Sequence, residues 1–281
     1  MGLPVCARLV AAGFEVVASD LDAARRTAVE AAGATWADPA GTATRSCEVI
    51  VTVLPGSPEL LDVMGPLLPQ MRQGTSWIDL TSASPQAAAR LRGLGADIDI
   101  LDAPMGGGPS AARAGTLELF VGGAETTVTR HRPILEALGR VHHVGGPGAG
   151  YLVKLLVNLL WFGQALATGE ALLVARRAGL DLITVRRALE SSAAGSRFIQ
   201  RDLGPLLEGD YLTDFGLERC CEELDAIAAF AHELDVPFEL SAVVRDLYAS
   251  ALERYGPVDG ELLAVKLLED RSGVSLNVSE H

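Results

Sequence analysis

Lys154 and Asn158 stand four residues apart in GPGAGYLVKLLVN, so a helix there puts both on one face. A lysine inside an apolar helix is costly to bury charged, and burial would lower its pKa. Such a lysine could give and take protons near neutral pH. A side chain that snorkels to solvent is the competing explanation. Upstream, LDAPMGGGPS runs a strand into glycines 106–108. Glycine lets a backbone approach a ligand and turn its N–H groups toward an anion. A plain flexible loop is the alternative. Asp20 closes the short run EVVAS. At the end of the second strand of a βαβ unit, an acid accepts hydrogen bonds from an adenosine ribose and repels a 2′-phosphate. Leu21 follows it, where a cation would favour NADP. Arg25 and Arg26 lie a turn further on and could reach back toward a phosphate. An exposed loop acid would look the same.

The elements that would position these residues alternate in the first half. Helices are expected over residues 3–12, 22–32, 58–71, 85–93 and 125–138. Leu3, Cys6, Leu9 and Val10 should share the buried face of the first. Strands are expected over 15–19, 48–54, 76–80, 97–104, 117–123 and 141–145. Pro55 and Gly56 break the second of these runs, and Pro85 opens a helix. Strands and helices in this alternation imply a parallel, helix-covered sheet. Beyond GPGAG the pattern is helical throughout: 151–178, 182–192, 199–207, 215–234, 238–254 and 259–269. The expected domains are 1–148, which is α/β, and 149–281, which is all helical.

Composition narrows the function classes. The chain has 281 residues, 49% hydrophobic and 21% charged, and a formal net charge of −13. That is a globular composition, and its acidity argues against nucleic-acid or anionic-membrane binding, both of which need clustered Lys and Arg. Cys6, Cys47, Cys220 and Cys221 show no CxxC spacing, and the five histidines show no metal-ligand pattern. We expect free thiols, no metal and a cytoplasmic protein. The apolar run 151–167 is interrupted by Lys154, Asn158 and Gln164, which favours a buried core helix over a membrane span.

The segments AGFEVVASD, VIVTVLP, IDLTSASP, LDAPMGGG with GTLELFVGG, GPGAGYLVKLLVN, and the Glu-Ala-Leu pattern at 170–181 occur together in one order. In this the chain resembles the β-hydroxyacid dehydrogenases, the family of 3-hydroxyisobutyrate dehydrogenase and tartronate semialdehyde reductase, along nearly its whole length. The resemblance implies a Rossmann-type domain followed by an all-α domain. It implies NAD or NADP as cofactor, with NAD favoured by Asp20, a small-molecule substrate, and a homodimer or homotetramer. It further implies that Lys154 is catalytic, that Asn158 orients it and the substrate, and that the loop with Gly106 and Gly107 holds the substrate carboxylate. Gly2, Asp20, Leu54, Pro55, Ser82 and Glu222 would face the cofactor.

Three positions depart from the family pattern. The family opens with a strand and GxGxxG, whereas Met1-Gly2 matches only the end of that motif. A natural chain beginning about ten residues upstream is therefore expected. Gly106 stands where the family has serine. Glu222-Glu223-Leu224 replaces Lys-Asp-Leu, a charge reversal that would disfavour small acidic substrates unless Arg219, three residues away, neutralises it. Weak activity on 3-hydroxyisobutyrate and better activity on a bulkier or less anionic substrate is expected from this. Reduction of an imine or another non-carboxylate carbonyl is one alternative, and a catalytically silent NAD-binding protein is another.

Overall fold

In the computed structural model, residues 1–38, 44, 47–94 and 98–280 are described. The chain divides into two compact units, Met1–Lys154 and Leu155–His281. The first carries α1 (Gly2–Ala11), β1 (Val17–Ala18), α2 (Arg26–Ala31), β2 (Thr35–Trp36), β3 (Val49–Thr52) and α3 (Ser57–Leu67). It continues with β4 (Ser76–Asp79), α4 (Pro85–Leu94), β5 (Asp99–Asp102), β6 (Met105–Gly106), α5 (Gly108–Ala114), β7 (Leu117–Gly122), α6 (Glu125–Leu138) and β8 (Gly139–Gly145).

β3, β4 and β5 are parallel and in register, with Thr52 opposite Asp79 and Asp79 opposite Asp102. β4 is buried at every position, as a strand flanked on both sides must be. β1 and β2 form a separate parallel pair. The expectation of an all-parallel sheet needs correction. β7 runs antiparallel to β5 and to β6, and only β8 returns parallel to it. The connection from β5 to β7 carries just the strand β6 and the short helix α5. Antiparallel neighbours can be joined that briefly, while parallel ones need a full crossover.

Other elements shift as well. The helix expected over 22–32 opens as a 3₁₀ turn, capped by Asp22 accepting from Ala24 N at 3.0 Å, and α2 covers only its second half. The strands expected over 15–19 and 48–54 shorten to β1 and β3, and 97–104 shortens to β5, its first residue lying outside the described ones. On α1 the buried face is Val5, Cys6 and Leu9, while Leu3 is 40% exposed.

α7 (Ala149–Arg177) crosses from the first unit into the second. The second unit continues with α8 (Leu182–Glu190), a π-helical turn at Phe198–Asp202, α9 (Leu203–Leu207), α10 (Leu217–Glu233), α11 (Glu239–Tyr255) and α12 (Leu263–Ser272). Asp181 caps α8 by accepting from Thr184 N at 2.9 Å. The core of the second unit gathers Phe162, Leu166 and Leu172 of α7 with Phe198, Leu217, Leu224 and Tyr248. The apolar helix expected to be buried in the core, α7, gives one face to it and leaves another exposed. By length and composition it could cross a membrane, and Leu156, Val157, Leu160 and Val174 line a face open to solvent. One helix face is enough to seal this core, so the other stays outside. The four cysteines are free thiols. No group of three or more potential metal ligands is found among the described residues.

Candidate active site

The first turn of α7 is built by Asp102, the last residue of β5. Its Oδ1 accepts from Gly148 N at 2.6 Å, and its Oδ2 accepts from Gly150 N at 2.7 Å and Tyr151 N at 3.3 Å. One side chain thus satisfies three main-chain donors that a helix start leaves open. Burial pushes the Asp102 carboxyl up, against these hydrogen bonds and the charge of Arg92, whose Nη1 lies 4.0 Å from Oδ1. The approach needs a bare backbone: a Cβ on Gly150 would meet Phe120 O and stand 2.8 Å from Asp102 Oδ2. Lys154 follows Tyr151 by three residues and is half-buried, not enclosed as the apolar sequence around it implied. Asn158 is one turn further along the same helix and is also half-buried.

Asn158 donates through Nδ2 to Glu223 Oε2. Glu223 is buried on α10, whereas Glu222 beside it is half-exposed and accepts from Arg219 Nη1 at 2.8 Å. Consecutive residues on a helix point about 100° apart, and the rotation of α10 puts Glu223 on its buried side and Glu222 on its outer one. Glu222 therefore carries its charge paired on the outer side, and Glu223 meets Asn158.

The glycine loop splits into two roles. Gly106 ends β6 opposite Glu118, and a Cβ there would find only ordinary contacts, 3.6 Å from Glu118 Cβ and Phe120 Cε2. Gly107 has φ +112°, and a Cβ there would come within 2.7 Å of Ala111 Cβ. Glycine is therefore required at 107 and merely present at 106. Beside this loop, Glu118 Oε2 meets His142 Nε2 at 2.5 Å, and Phe120 stacks on the His142 ring.

Of the residues expected to meet a dinucleotide, Gly2, Asp20, Leu54, Pro55 and Ser82 lie at strand ends and a helix start, the carboxyl-end arrangement by which open α/β sheets bind ligands, whereas Glu222 lies within α10 of the second unit, paired with Arg219. Gly2 begins α1, and a Cβ on it would make only an ordinary contact, 3.9 Å from Val53 Cβ. Leu54 N donates to Thr81 Oγ1 at 3.1 Å, which ties the turn after β3, with Leu54 and Pro55, to the turn with Thr81 and Ser82 after β4. Asp20 is exposed just beyond β1, where its Oδ1 accepts from Asp22 N at 2.9 Å. Arg25 Nε lies 3.4 Å from Asp20 Oδ2 and 3.5 Å from Asp22 Oδ2. Arg26 instead pairs with Glu30 at 2.8 Å. These groups fit a dinucleotide: an accessible acid that can accept from a ribose, with backbone groups at strand ends and at the start of α1. Asp102, Tyr151 and Glu223 escaped the sequence reading. The signal for Asp102, and for Asp79 in the strand beside it, was an acid that follows two apolar residues at the end of a strand, as in SWID and DILD.

Comparison with known proteins agrees with this architecture. Residues 1–146 match the family profile of the NAD-binding domain of 6-phosphogluconate dehydrogenase. Residues 148–268 match the NAD-binding domain of NADP-dependent 3-hydroxyisobutyrate dehydrogenase. The 2-(hydroxymethyl)glutarate dehydrogenase of Eubacterium barkeri is 28% identical over 99% of this chain and 94% of its own. The NAD-dependent L-serine dehydrogenase of Pseudomonas aeruginosa is 33% identical over 70% of this chain and 68% of its own. The structure of Mycobacterium tuberculosis 3-hydroxyisobutyrate dehydrogenase with L-serine superposes with a TM-score of 0.86 at 25% identity, covering 95% of both chains. Fold and site together define an NAD(P)-dependent oxidoreductase with a Rossmann-like domain followed by a helical one. The chain belongs to the β-hydroxyacid dehydrogenase family, with 3-hydroxyisobutyrate dehydrogenase and tartronate semialdehyde reductase among its members.

Proposed function

We propose that this enzyme oxidises a small hydroxyacid, or reduces the matching carbonyl acid, with Lys154 as the general acid and base. The observation that carries the reading is the placement of Lys154 and Asn158 one turn apart on a helix whose start is held by Asp102. The nicotinamide of NAD(P) supplies the redox chemistry when bound. Lys154 takes the proton of the substrate hydroxyl in the oxidative direction and returns it to the carbonyl oxygen in the reductive one. Asn158, anchored by Glu223, orients the reacting group. The backbone around Gly106 and Gly107 receives the substrate carboxylate. Alignment of the reacting carbons is the protein's main contribution to the rate.

The acidic substrate class gains support from Arg219. Its ion pair with Glu222 offsets the carboxylate that stands where the family has a lysine. Relatives named for L-serine, 3-hydroxyisobutyrate and 2-(hydroxymethyl)glutarate define the first panel. NAD is the favoured cofactor because of Asp20. The exposed apolar face of α7, with Leu156, Val157, Leu160 and Val174, supports assembly as a homodimer or homotetramer.

The test is cofactor reduction measured with that panel, run beside Lys154→Ala. The variant should lose roughly 10²–10⁴-fold in turnover while still binding NAD. Wild-type turnover by Lys154→Ala would remove the mechanism, and a panel without turnover would remove the substrate class.

A further inference from the structure

Asp79 ends β4, between β3 and β5, and has no solvent exposure. A carboxylate in such a place must be served by donors from the protein. Three segments supply them. Thr52 Oγ1 at the end of β3 donates to Asp79 Oδ1 at 2.6 Å. Thr81 N in the turn after β4 donates to the same oxygen at 3.0 Å. The Tyr151 hydroxyl in the first turn of α7 donates to Oδ2 at 2.5 Å. Thr52 is itself fixed, since its hydroxyl accepts from Trp77 Nε1 at 2.8 Å and so has its own proton left for Asp79. Tyr151 is then held twice, by Asp102 at its main chain and by Asp79 at its side chain.

We propose that the Asp79–Tyr151 pair is a positioning device: it fixes the rotation of the first turn of α7 and thereby aims Lys154. This rests on the reading of Lys154 as the acid–base group. A helix with its side chains is about 10–12 Å across, so a 10° turn about its axis moves a side-chain tip by about 1 Å. A displacement of that size at a reacting group can cost on the order of 10²-fold in rate. The same carboxylate also grips Thr81, whose hydroxyl holds Leu54 N, so the two turns expected at the cofactor are registered on the catalytic helix through one residue.

The ionisation of Asp79 gives the device a signature. Burial raises the carboxyl to about 6, against the hydrogen bonds from Thr52, Thr81 and Tyr151, which favour the charged form. The ionisable groups nearby are Tyr151 on α7, Asp102 on β5 and Arg92 on α4. Below pH 6 the protonated carboxyl must donate one hydrogen bond where it had only accepted. Oδ1 already accepts from Thr52 and from the Thr81 N–H, which can only donate, so the proton settles on Oδ2 and the Tyr151 contact is the one that reverses.

The experiment compares wild type, Tyr151→Phe, Asp79→Asn, Lys154→Ala and Val128→Ala, using 3-hydroxyisobutyrate and L-serine as probes. kcat, KM for NAD and their pH profiles are measured, with infrared detection of a protonated buried carboxyl. Val128 is a buried apolar residue of α6 and controls for lost stability alone. Tyr151→Phe should lower kcat about 10–10²-fold with KM for NAD changed by less than about threefold. Its acid limb and infrared titration should both move to higher pH. Asp79→Asn should lose the infrared band and the limb, and Val128→Ala should shift neither. Wild-type kcat and pH profile in Tyr151→Phe, with Lys154→Ala inactive, would overturn the positioning role and leave the catalytic reading standing. Full turnover in Lys154→Ala would overturn the catalytic reading, and the positioning role with it. If Asp79→Asn does not fold, Tyr151→Phe decides alone.

Discussion

Asn158 gives its side-chain amide to Glu223, so the group expected to orient the substrate is itself oriented by a buried acid on α10. The chain pairs a helix face of α7 with one acid of an adjacent pair and leaves the other, Glu222, to Arg219.

That contact has a measurable consequence. Asn158→Ala removes the donor and should cost roughly 1–3 kcal/mol in unfolding free energy. Asn158→Asp should cost more, because it sets a second carboxylate against Glu223. Chemical denaturation at pH 7 reads both, and a stability of Asn158→Asp equal to wild type would contradict the contact.

The pH dependence of stability should carry the mark of Asp79. Its carboxyl is raised from the ordinary 3.8 to about 6 in the folded chain, chiefly by burial. Between these values the folded protein holds a proton that the unfolded chain releases. Stability from this group is therefore fully present below about pH 4 and lost as pH rises through 6. The shift corresponds to on the order of 3 kcal/mol. Denaturation of wild type and Asp79→Asn between pH 4 and 8 should show wild type losing stability relative to the variant as pH rises. Parallel curves would place the Asp79 carboxyl in the ordinary range.

Cofactor choice should follow Asp20. The NAD to NADP ratio of kcat/KM should exceed one in the wild type and fall about tenfold or more in Asp20→Ser. Arg25 lies 3.4 Å from Asp20 and would be freed to meet a 2′-phosphate in that variant. Asp20→Ser with Arg25→Ala should then use NADP less well than Asp20→Ser alone. An unchanged ratio in Asp20→Ser would move the determinant elsewhere.

The two loop glycines should respond differently to substitution. Gly107→Ala meets both a left-handed backbone and Ala111, so a loss of about 1–2 kcal/mol or more is expected, together with impaired substrate binding. Gly106→Ser has room for its side chain and should stay within about 0.5 kcal/mol of wild type. Thermal unfolding separates them, and equal losses at the two positions would contradict the loop geometry.

Read along the chain, the strand–helix alternation, the switch to helices near residue 150 and the Lys154–Asn158 spacing were all visible. These are local patterns, written by hydrophobic period, glycine and proline. The family motifs were visible for the same reason: each is a short contiguous stretch. Pairing was not visible in this way. That β7 turns antiparallel to β5 depends on which edge a strand finds, and no residue of LELFVG states it. Nor could the sequence distinguish Glu222 from Glu223, since the choice between adjacent acids is made by the rotation of α10 against its neighbours. Asp79, Thr52, Asp102 and Tyr151 belong to four separate elements, up to 99 positions apart in number. Their hydrogen bonds exist only because parallel strands in register bring the ends of β3, β4 and β5 side by side against the start of α7. A buried carboxylate acquires its partners, and its raised pKa, from the tertiary structure alone.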